Sequence, residues 1–261
     1  MAHQQVNVGF EIGKPPLPGI RKLSDTDIRL ALRKGYEDFQ AKPSHVVFLG
    51  LLYPILCFLI LFAAAGRELL PLIYPLIAGF ALIGPFAAIG LYEISRERER
   101  GETPHWRQAF GVMASAGFGQ LLLLGIALLV IFSLWLLTAL VIYDFCFGAT
   151  PFADALDRLF TTRNGWMLLL LGNGVGFLFA LFVLIISAVS FPMILDRHVD
   201  AVTAVRTSMA VFAHNPVVML KWGAVIAGAL ALGFIPLAIG LAIVFPILGH
   251  ATWHVYRAAV H

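Results

Sequence analysis

The clearest candidates for chemistry in this sequence are histidines, and two of them, His250 and His254, are four residues apart. Side chains at this spacing lie on one face of a helix, which is the geometry by which two imidazoles can bind one metal ion. No carboxylate or cysteine stands beside the pair, whereas Trp253 and Tyr256 do. Rings of this kind are enriched where a membrane meets water. The sequence therefore favours an interfacial belt and predicts neither a metal site nor a bound cofactor.

Four other ionisable residues lie at the ends of apolar segments. Glu93 precedes Arg96 by three residues and Glu99 follows it by three, so that either is a candidate ion-pair partner of Arg96. Asp196 and His198 fall in one short polar cluster. An ion pair near water contributes little, and aspartate is a common helix cap, so each has a structural explanation. The sequence contains no nucleophile elbow, phosphate loop or HExxH motif. It predicts no catalytic residue, and the candidates for a polar site are Glu93, Arg96, Asp196, His198, His250 and His254.

The composition indicates the surroundings in which these residues lie. Sixty per cent of the residues are hydrophobic and only 13% are charged, whereas a soluble domain is roughly 45–50% apolar and 25% charged. A chain of 261 residues with this composition cannot cover its apolar surface in water, so we expect a polytopic protein embedded in a lipid bilayer. The net charge of +3 comes from basic residues in the connections between apolar runs, and no nucleic-acid partner is expected.

Six apolar runs are long enough to cross the roughly 30 Å hydrocarbon core of a bilayer. A short segment around Pro236 is all that separates the last two, which form either a hairpin or one long kinked element. The six predicted spans lie at about 45–65, 70–94, 118–143, 166–194, 217–233 and 235–256.

An internal repeat favours the hairpin. In two segments, a pair of prolines ten residues apart is followed by an aromatic residue and closed by an arginine, 21 residues after the first proline. Such a repeat indicates assembly from duplicated membrane hairpins. The shared positions are Pro75, Pro85, Tyr92 and Arg96 in one copy and Pro236, Pro246, Trp253 and Arg257 in the other.

An amphipathic helix is predicted before each of three hairpins. The first begins with Ser24 as N-cap and Asp27 three residues later. The second begins at Thr103 and Pro104, and the third runs over about 199–213. The predicted apolar faces are Ile28, Leu32, Tyr36 and Phe39 in the first helix, opposite Arg29, Arg33, Lys34, Glu37 and Asp38, and Val199, Val202, Val205, Met209 and Phe212 in the third.

The predicted fold class is therefore an all-α membrane protein with six transmembrane helices, arranged as three hairpins, each preceded by a cytoplasmic interfacial amphipathic helix. An extended polar arm occupies 1–23, and a single membrane domain occupies 24–261, with repeat units at about 24–96, 103–194 and 198–257. With six spans, fifteen of the 18 lysines and arginines fall on one side. Because basic residues accumulate on the cytoplasmic side, both termini are expected in the cytoplasm.

Several segments together resemble a known family. They are Gly90–Arg96, Asp196–Ala204, Asn215–Met219 and Gly249–Arg257. They resemble a family of proteobacterial integral membrane proteins that is classed as a domain of unknown function, and the resemblance covers about 20–261. Some members are labelled cytochrome c oxidase subunits. The resemblance implies a bacterial inner-membrane protein with a link to respiration, and it brings no catalytic residues.

Three functions are compatible with these observations. The first is a non-catalytic accessory, assembly or stabilising component of a membrane complex, with a membrane-protein partner or a second copy of itself. The second is a carrier or binder of lipid or another small hydrophobic molecule, because Gly/Pro-interrupted spans at equivalent repeat positions are where a transporter site is sought. The third is an interfacial enzyme, which would have to bring Glu93, Asp196, His198, His250 and His254 within hydrogen-bond distance.

Overall fold

The fold is described from a computed structural model of the 261-residue chain. The structure describes residues 18–41, 72–102, 117–148, 152–236 and 238–261, together with Ile55, Val112, Ser115 and Thr150. The predicted first span, the predicted helix beginning at Thr103 and most of the N-terminal arm lie outside these residues. The described end of the arm lies along the C-terminus, where the backbone N–H of Arg21 donates to the Ala259 carbonyl at 2.9 Å.

The described residues are helical apart from turns, short irregular segments such as 21–24 and 198–200, and a single antiparallel bridge between Ile20 and Val260. A 3-10 turn at Ala81–Ile83 separates α2 from α3. The helices are α1 (Asp25–Ala41), α2 (Ile73–Phe80), α3 (Gly84–Ala87), α4 (Ile89–Glu99), α5 (Phe118–Phe147), α6 (Phe152–Arg158), α7 (Arg163–Ser187), α8 (Ser190–Arg197), α9 (Ala201–His214), α10 (Pro216–Phe234) and α11 (Leu241–Ala259).

Four described helical stretches are long and apolar enough to cross a membrane: Ile73–Glu99, Phe118–Phe147, Arg163–Arg197 and Pro216–Phe234. They coincide with the second to fifth predicted spans. Helix α11, which covers most of the predicted sixth span, is not among them. Its second half carries polar residues, including His250, His254 and Arg257, that lower its hydropathy.

The stretch Ile73–Glu99 consists of short helices, and proline accounts for the break before α3. Pro85 lies in the first turn of α3, where the lack of an N–H donor costs no hydrogen bond. The chain before it tightens into the 3-10 turn. The last part of the stretch, α4, carries Glu93 and Arg96 to the end of the molecule where the polar groups gather.

Trp135 holds α2 and α7 against α5. Its indole N–H donates to the Pro75 carbonyl at 2.9 Å, and the residue is only 4% exposed. Gly79 and Gly176 let the ring lie directly on the neighbouring backbones, because a Cβ would lie 2.5 Å from the ring at Gly79 and 3.0 Å from it at Gly176. Close contact of this kind is the usual role of small residues between membrane helices.

Helices α10 and α11 are separate elements, with turns at 235–236 and 238–240 between them. Lys221, near the start of α10, forms a salt bridge with Asp25, while Ala258, at the end of α11, accepts a hydrogen bond from Arg21. The start of α10 and the end of α11 thus both lie beside the start of α1. Asn215, which precedes α10, fixes this junction by accepting from the Leu23 N–H at 2.7 Å.

Helix α1 begins as the sequence predicts, but its buried face is rotated from the predicted one: Ile28 is buried and Leu32 and Phe39 pack against the core, whereas Tyr36 does not. The Asp27 carboxylate accepts from both the N–H and the hydroxyl of Ser24, at 2.8 and 2.7 Å. Tyr36, assigned above to the apolar face, is 49% exposed, and Asp38, assigned to the polar face, is 6% exposed. The buried residues are Ile28, Ala31, Gly35 and Asp38.

Helix α9 turns only part of its predicted apolar face outward, since Val205 and Phe212 are partly buried against the core. Val202 and Met209 are exposed, while Ala204, Thr207, Ser208 and Val211 are buried. The buried hydroxyls are satisfied locally, since Thr207 donates to the Thr203 carbonyl and Ser208 to the Ile185 carbonyl. Small side chains let α9 pack closely on α7 and α8, and this contact accounts for the burial of a face next to the predicted one.

We expect an Asp200→Ala variant to lose about 1 kcal/mol of stability, because Asp200 is the N-cap of α9. Its carboxylate accepts from the N–H of Thr203 at 2.9 Å and from the hydroxyl of Thr203 at 2.6 Å. Thermal unfolding in detergent would measure the loss. Asp200→Asn retains a capping oxygen and should unfold near the wild-type temperature, and equal losses in both variants would contradict the capping role.

Candidate functional site

The polar candidates of the sequence meet at one end of the molecule, where α1, α4, α8 and α11 come together. His250 connects α11 to α4, and His254 connects α11 to α1. Asp196 connects α8 to α11. Glu93 and Arg96 link α4 to the end of α8. The side chains form separate networks, each with its own partners.

The first network is centred on Asp38 of α1. Its Oδ2 accepts from the Ser95 hydroxyl at 2.6 Å and lies 2.9 Å from Nε2 of His254. Its Oδ1 accepts from the Arg98 guanidinium. The Ser95 hydroxyl also lies 2.8 Å from Nδ1 of His250. We call these five residues, Asp38, Ser95, Arg98, His250 and His254, the Asp38 network, and they tie α1 to both α4 and α11.

The electrostatics of this network favour an ionised Asp38. Burial alone raises the pKa of its carboxyl, but hydrogen bonds from His254 and Ser95, together with the electrostatic influence of the two histidines, outweigh burial and hold that pKa below the usual 3.8. Because an ionised carboxylate only accepts, the Ser95 hydroxyl donates to it and must itself accept from a protonated Nδ1 of His250. The network therefore fixes the tautomer of His250.

His250 is fully buried, and the second nitrogen of its ring, Nε2, forms no hydrogen bond with any described residue. An imidazole that donates through Nδ1 carries a lone pair on Nε2. Burying an acceptor without a partner costs roughly 1–3 kcal/mol. The packing of α1, α4 and α11 around the ring and the hydrogen bond from Nδ1 must offset this cost and keep His250 in place.

A second network joins α8, α4 and α11. The Tyr256 hydroxyl donates to Oδ2 of Asp196 at 2.7 Å, and Nη1 of Arg257 lies 3.3 Å from the same oxygen. Glu99, at the end of α4, accepts from Nε of Arg257 and from the Trp253 indole, both at 3.1 Å. Asp196 acts here as an acceptor between helices, not as the helix cap suggested by its position in the sequence.

Glu93 and Arg96 form the ion pair that their spacing suggests, at 2.6 Å, and both side chains are largely buried. Nη1 of Arg96 also donates to the carbonyl of Leu195. Oε2 of Glu93 and Nε of Arg96 are buried without a hydrogen bond to a described residue. The pair therefore links α4 to α8 within the protein, instead of lying in water as the sequence suggested.

His198 belongs to none of these networks. It ends α8 in the left-handed conformation, with a φ of 53°, and its N–H donates to the Ile194 carbonyl. The five residues of the enzyme hypothesis do not converge within hydrogen-bond distance. His250 and His254 are connected only through Ser95 and Asp38, and no described hydrogen bond joins either to Glu93, Asp196 or His198.

The chemistry available to the Asp38 network is mainly structural. Ser95 is only 1% exposed, so its hydroxyl is not open to a substrate in this conformation. No group of three or more His, Cys, Asp or Glu side chains within the described ranges could hold a metal ion. The network joins three helices with charge-assisted hydrogen bonds, which are about twice as strong as neutral ones.

Sequence reasoning missed Asp38, Ser95 and Arg98. One signal could have indicated Asp38, since Ile28, Ala31, Gly35 and Asp38 follow the 3-4-3 spacing of one helical face. A face with two small residues and no large aromatic side chain suits close contact with another helix better than contact with lipid headgroups. Ser95 and Arg98 had no such signal, because their partner lies about 60 residues away.

Comparison with known proteins gives one match. The family described as "Predicted integral membrane protein (DUF2189)" matches residues 73–196, a little under half of the chain, from α2 into α8. No curated protein and no solved structure matches the chain. The matched family and the four apolar stretches agree that this is an integral membrane protein with several transmembrane helices.

Proposed function

We propose that the protein is a non-catalytic accessory, assembly or stabilising component of a membrane complex in the bacterial inner membrane, with a respiratory oxidase as the first complex to test. The observation that carries this proposal is that partly or fully buried ionisable groups are engaged with other groups of the protein. Asp38 and Asp196 pair with basic side chains of other helices. Arg96, which pairs with Glu93 within α4, donates to the Leu195 carbonyl of α8. Buried ionisable groups within membrane proteins usually mark transport or catalysis, and here they join helices instead.

The outward surface of the described spans supports the same function. Leu170, Phe177 and Leu178 of α7 are exposed, and a Cβ at Gly172 or Gly174 would meet nothing within 4 Å. On this surface the Tyr74 hydroxyl donates to Oδ1 of Asn173 at 2.7 Å. An apolar surface with small residues and a polar pair is suited to contact with another membrane helix.

The proposed topology has six spans, formed by the four stretches, the predicted span at 45–65 and α11. Both termini then face the cytoplasm, as does the polar end. The excess of basic residues supports this orientation. In this arrangement the Asp38 network lies at the cytoplasmic ends of the spans and holds α1 there, while the spans present their apolar surface to a partner.

The accessory role predicts a stable partner. The tagged protein would be extracted from its native membranes in mild detergent, and the eluate examined by mass spectrometry and by its optical haem spectrum. We expect oxidase subunits in stoichiometric amounts, together with a haem signal. A Gly174→Leu variant should reduce the recovery of these subunits, whereas Gly228→Leu, also at an open position but on α10, serves as the matched control.

The contradicting result is a colourless protein that carries lipid alone. That outcome would favour the second hypothesis, a carrier or binder of lipid. Equal recovery of the subunits from both glycine variants would leave the accessory role in place but would exclude the surface of α7 around Gly174 as the contact.

A further inference from the structure

A polar groove lies beside the Asp38 network, between α1 and α11. It has a volume of about 270 Å³ and is open to the surface. Ligand pockets usually measure roughly 300–1,000 Å³, so the groove suits a small group such as a lipid headgroup. Its lining residues are Arg21, Asp27, Leu30, Ala31, Lys34, Glu99, His254, Arg257 and Ala258.

The side chains that line the groove carry a net charge of +1. Three side chains are basic and two are acidic, with His254 counted as neutral. Asp27 is paired with Arg21, and Glu99 is paired with Arg257. Lys34 forms no ion pair or hydrogen bond with any residue that the structure describes, and it provides the surplus charge.

The two arginines are held in place and still have unused donors. Arg21 uses Nε for the Ala258 carbonyl and Nη2 for Asp27, which leaves Nη1 without a described partner. Arg257 uses Nε for Glu99 and Nη1 for Asp196, which leaves Nη2. Guanidinium groups positioned by carboxylates bind phosphate oxygens well, because their planar donors are already oriented.

The position of the groove favours a membrane source for such a phosphate. It lies at the polar ends of α4 and α11, where headgroups meet a membrane protein, and its lining includes Leu30, which is 48% exposed. Basic residues at this level attract anionic lipids. We propose that the groove binds the phosphate of an anionic phospholipid headgroup, with Lys34, Nη1 of Arg21 and Nη2 of Arg257 as donors.

This proposal does not depend on the accessory role, because a bound headgroup would stabilise α1 on α11 in any membrane protein of this shape. The experiment uses the purified full-length chain in detergent, and native mass spectrometry measures the binding of phosphatidylglycerol and phosphatidylcholine. We expect phosphatidylglycerol to bind more tightly. Lys34→Gln should weaken its affinity about fivefold and Lys34→Glu further, whereas Lys22→Gln, an exposed lysine outside the groove, should have no effect.

Lys34 is exposed and has no partner among the described residues, so its variants are expected to fold, and an unchanged melting temperature without added lipid would establish this. A second measurement distinguishes lipid from free phosphate, since 10 mM inorganic phosphate should not displace phosphatidylglycerol. Equal weakening by Lys22→Gln and Lys34→Gln would overturn the proposal. Displacement by inorganic phosphate would overturn the assignment to lipid.

Discussion

An Asp38→Ala variant is expected to lose about 3–5 kcal/mol of stability, because it removes the acceptor of a buried charged network. Three donors, from Ser95, Arg98 and His254, would lose their common partner. Asp38 is the only one of the five network residues that lies on α1, so its loss should release α1 from α4 and α11. Thermal unfolding in detergent would measure the stability, and limited proteolysis within α1 would report its release.

The matched control is Glu37→Ala, one residue away on the same helix. Glu37 pairs with Arg33 on the exposed surface of α1, and such a pair contributes about 0.3–0.5 kcal/mol. Asp38→Asn should fall between the two, because it retains an oxygen that can accept from Ser95 but loses the charge that attracts Arg98. Equal losses in Asp38→Ala and Glu37→Ala would contradict the structural role of the Asp38 network.

The same network predicts a characteristic acid sensitivity. The pKa of Asp38 lies below 3.8 in the folded protein, so its carboxylate contributes stability that is fully present above the unfolded value and is lost as the pH falls through the folded value. The difference in melting temperature between wild type and Asp38→Asn should therefore be constant at neutral pH and shrink below about pH 4. A difference that stayed constant down to pH 2 would show that the charge of Asp38 does not contribute.

The sequence predicted local features of the fold well, since their causes are local. The pairing of Ser24 with Asp27 and the pairing of Glu93 with Arg96 join residues three apart. Four of the six predicted apolar runs correspond to described stretches long enough to cross a membrane, because hydropathy over some 20 residues is a direct property of the sequence. Of the other two predicted runs, the one at 45–65 lies outside the described residues, and polar residues in the second half of α11 make the sixth less apolar than a typical span.

The orientation of α1 could not be predicted in the same way. Its large side chains indicated an apolar face that includes Tyr36, but contact with α11 depends on how closely two backbones can approach. Ala31 and Gly35 permit this approach, and Tyr36 would prevent it. The partners of Asp38 are 57 to 216 residues away, so no local spacing could show that His250 and His254 belong with this carboxylate.

A Gly35→Ala variant tests the same contact by steric means. A Cβ at Gly35 would lie 2.6 Å from the Ala251 nitrogen and 2.8 Å from the Ile247 carbonyl oxygen, both backbone atoms of α11. Since a helix backbone cannot move aside as a side chain can, α1 itself must shift. Overpacking of this kind costs about 1–3 kcal/mol, and we expect the upper part of that range, because the shift would also lengthen the hydrogen bonds of Asp38.

Gly228→Ala is the matched control and should change stability in the opposite direction. A Cβ there meets nothing within 4 Å, and replacing glycine by alanine inside a helix stabilises it by about 0.5–1 kcal/mol. Combining Gly35→Ala with Asp38→Ala should cost less than the sum of the two, because both release α1 from α11. Strictly additive losses would contradict the conclusion that steric fit and the Asp38 network hold α1 as one unit.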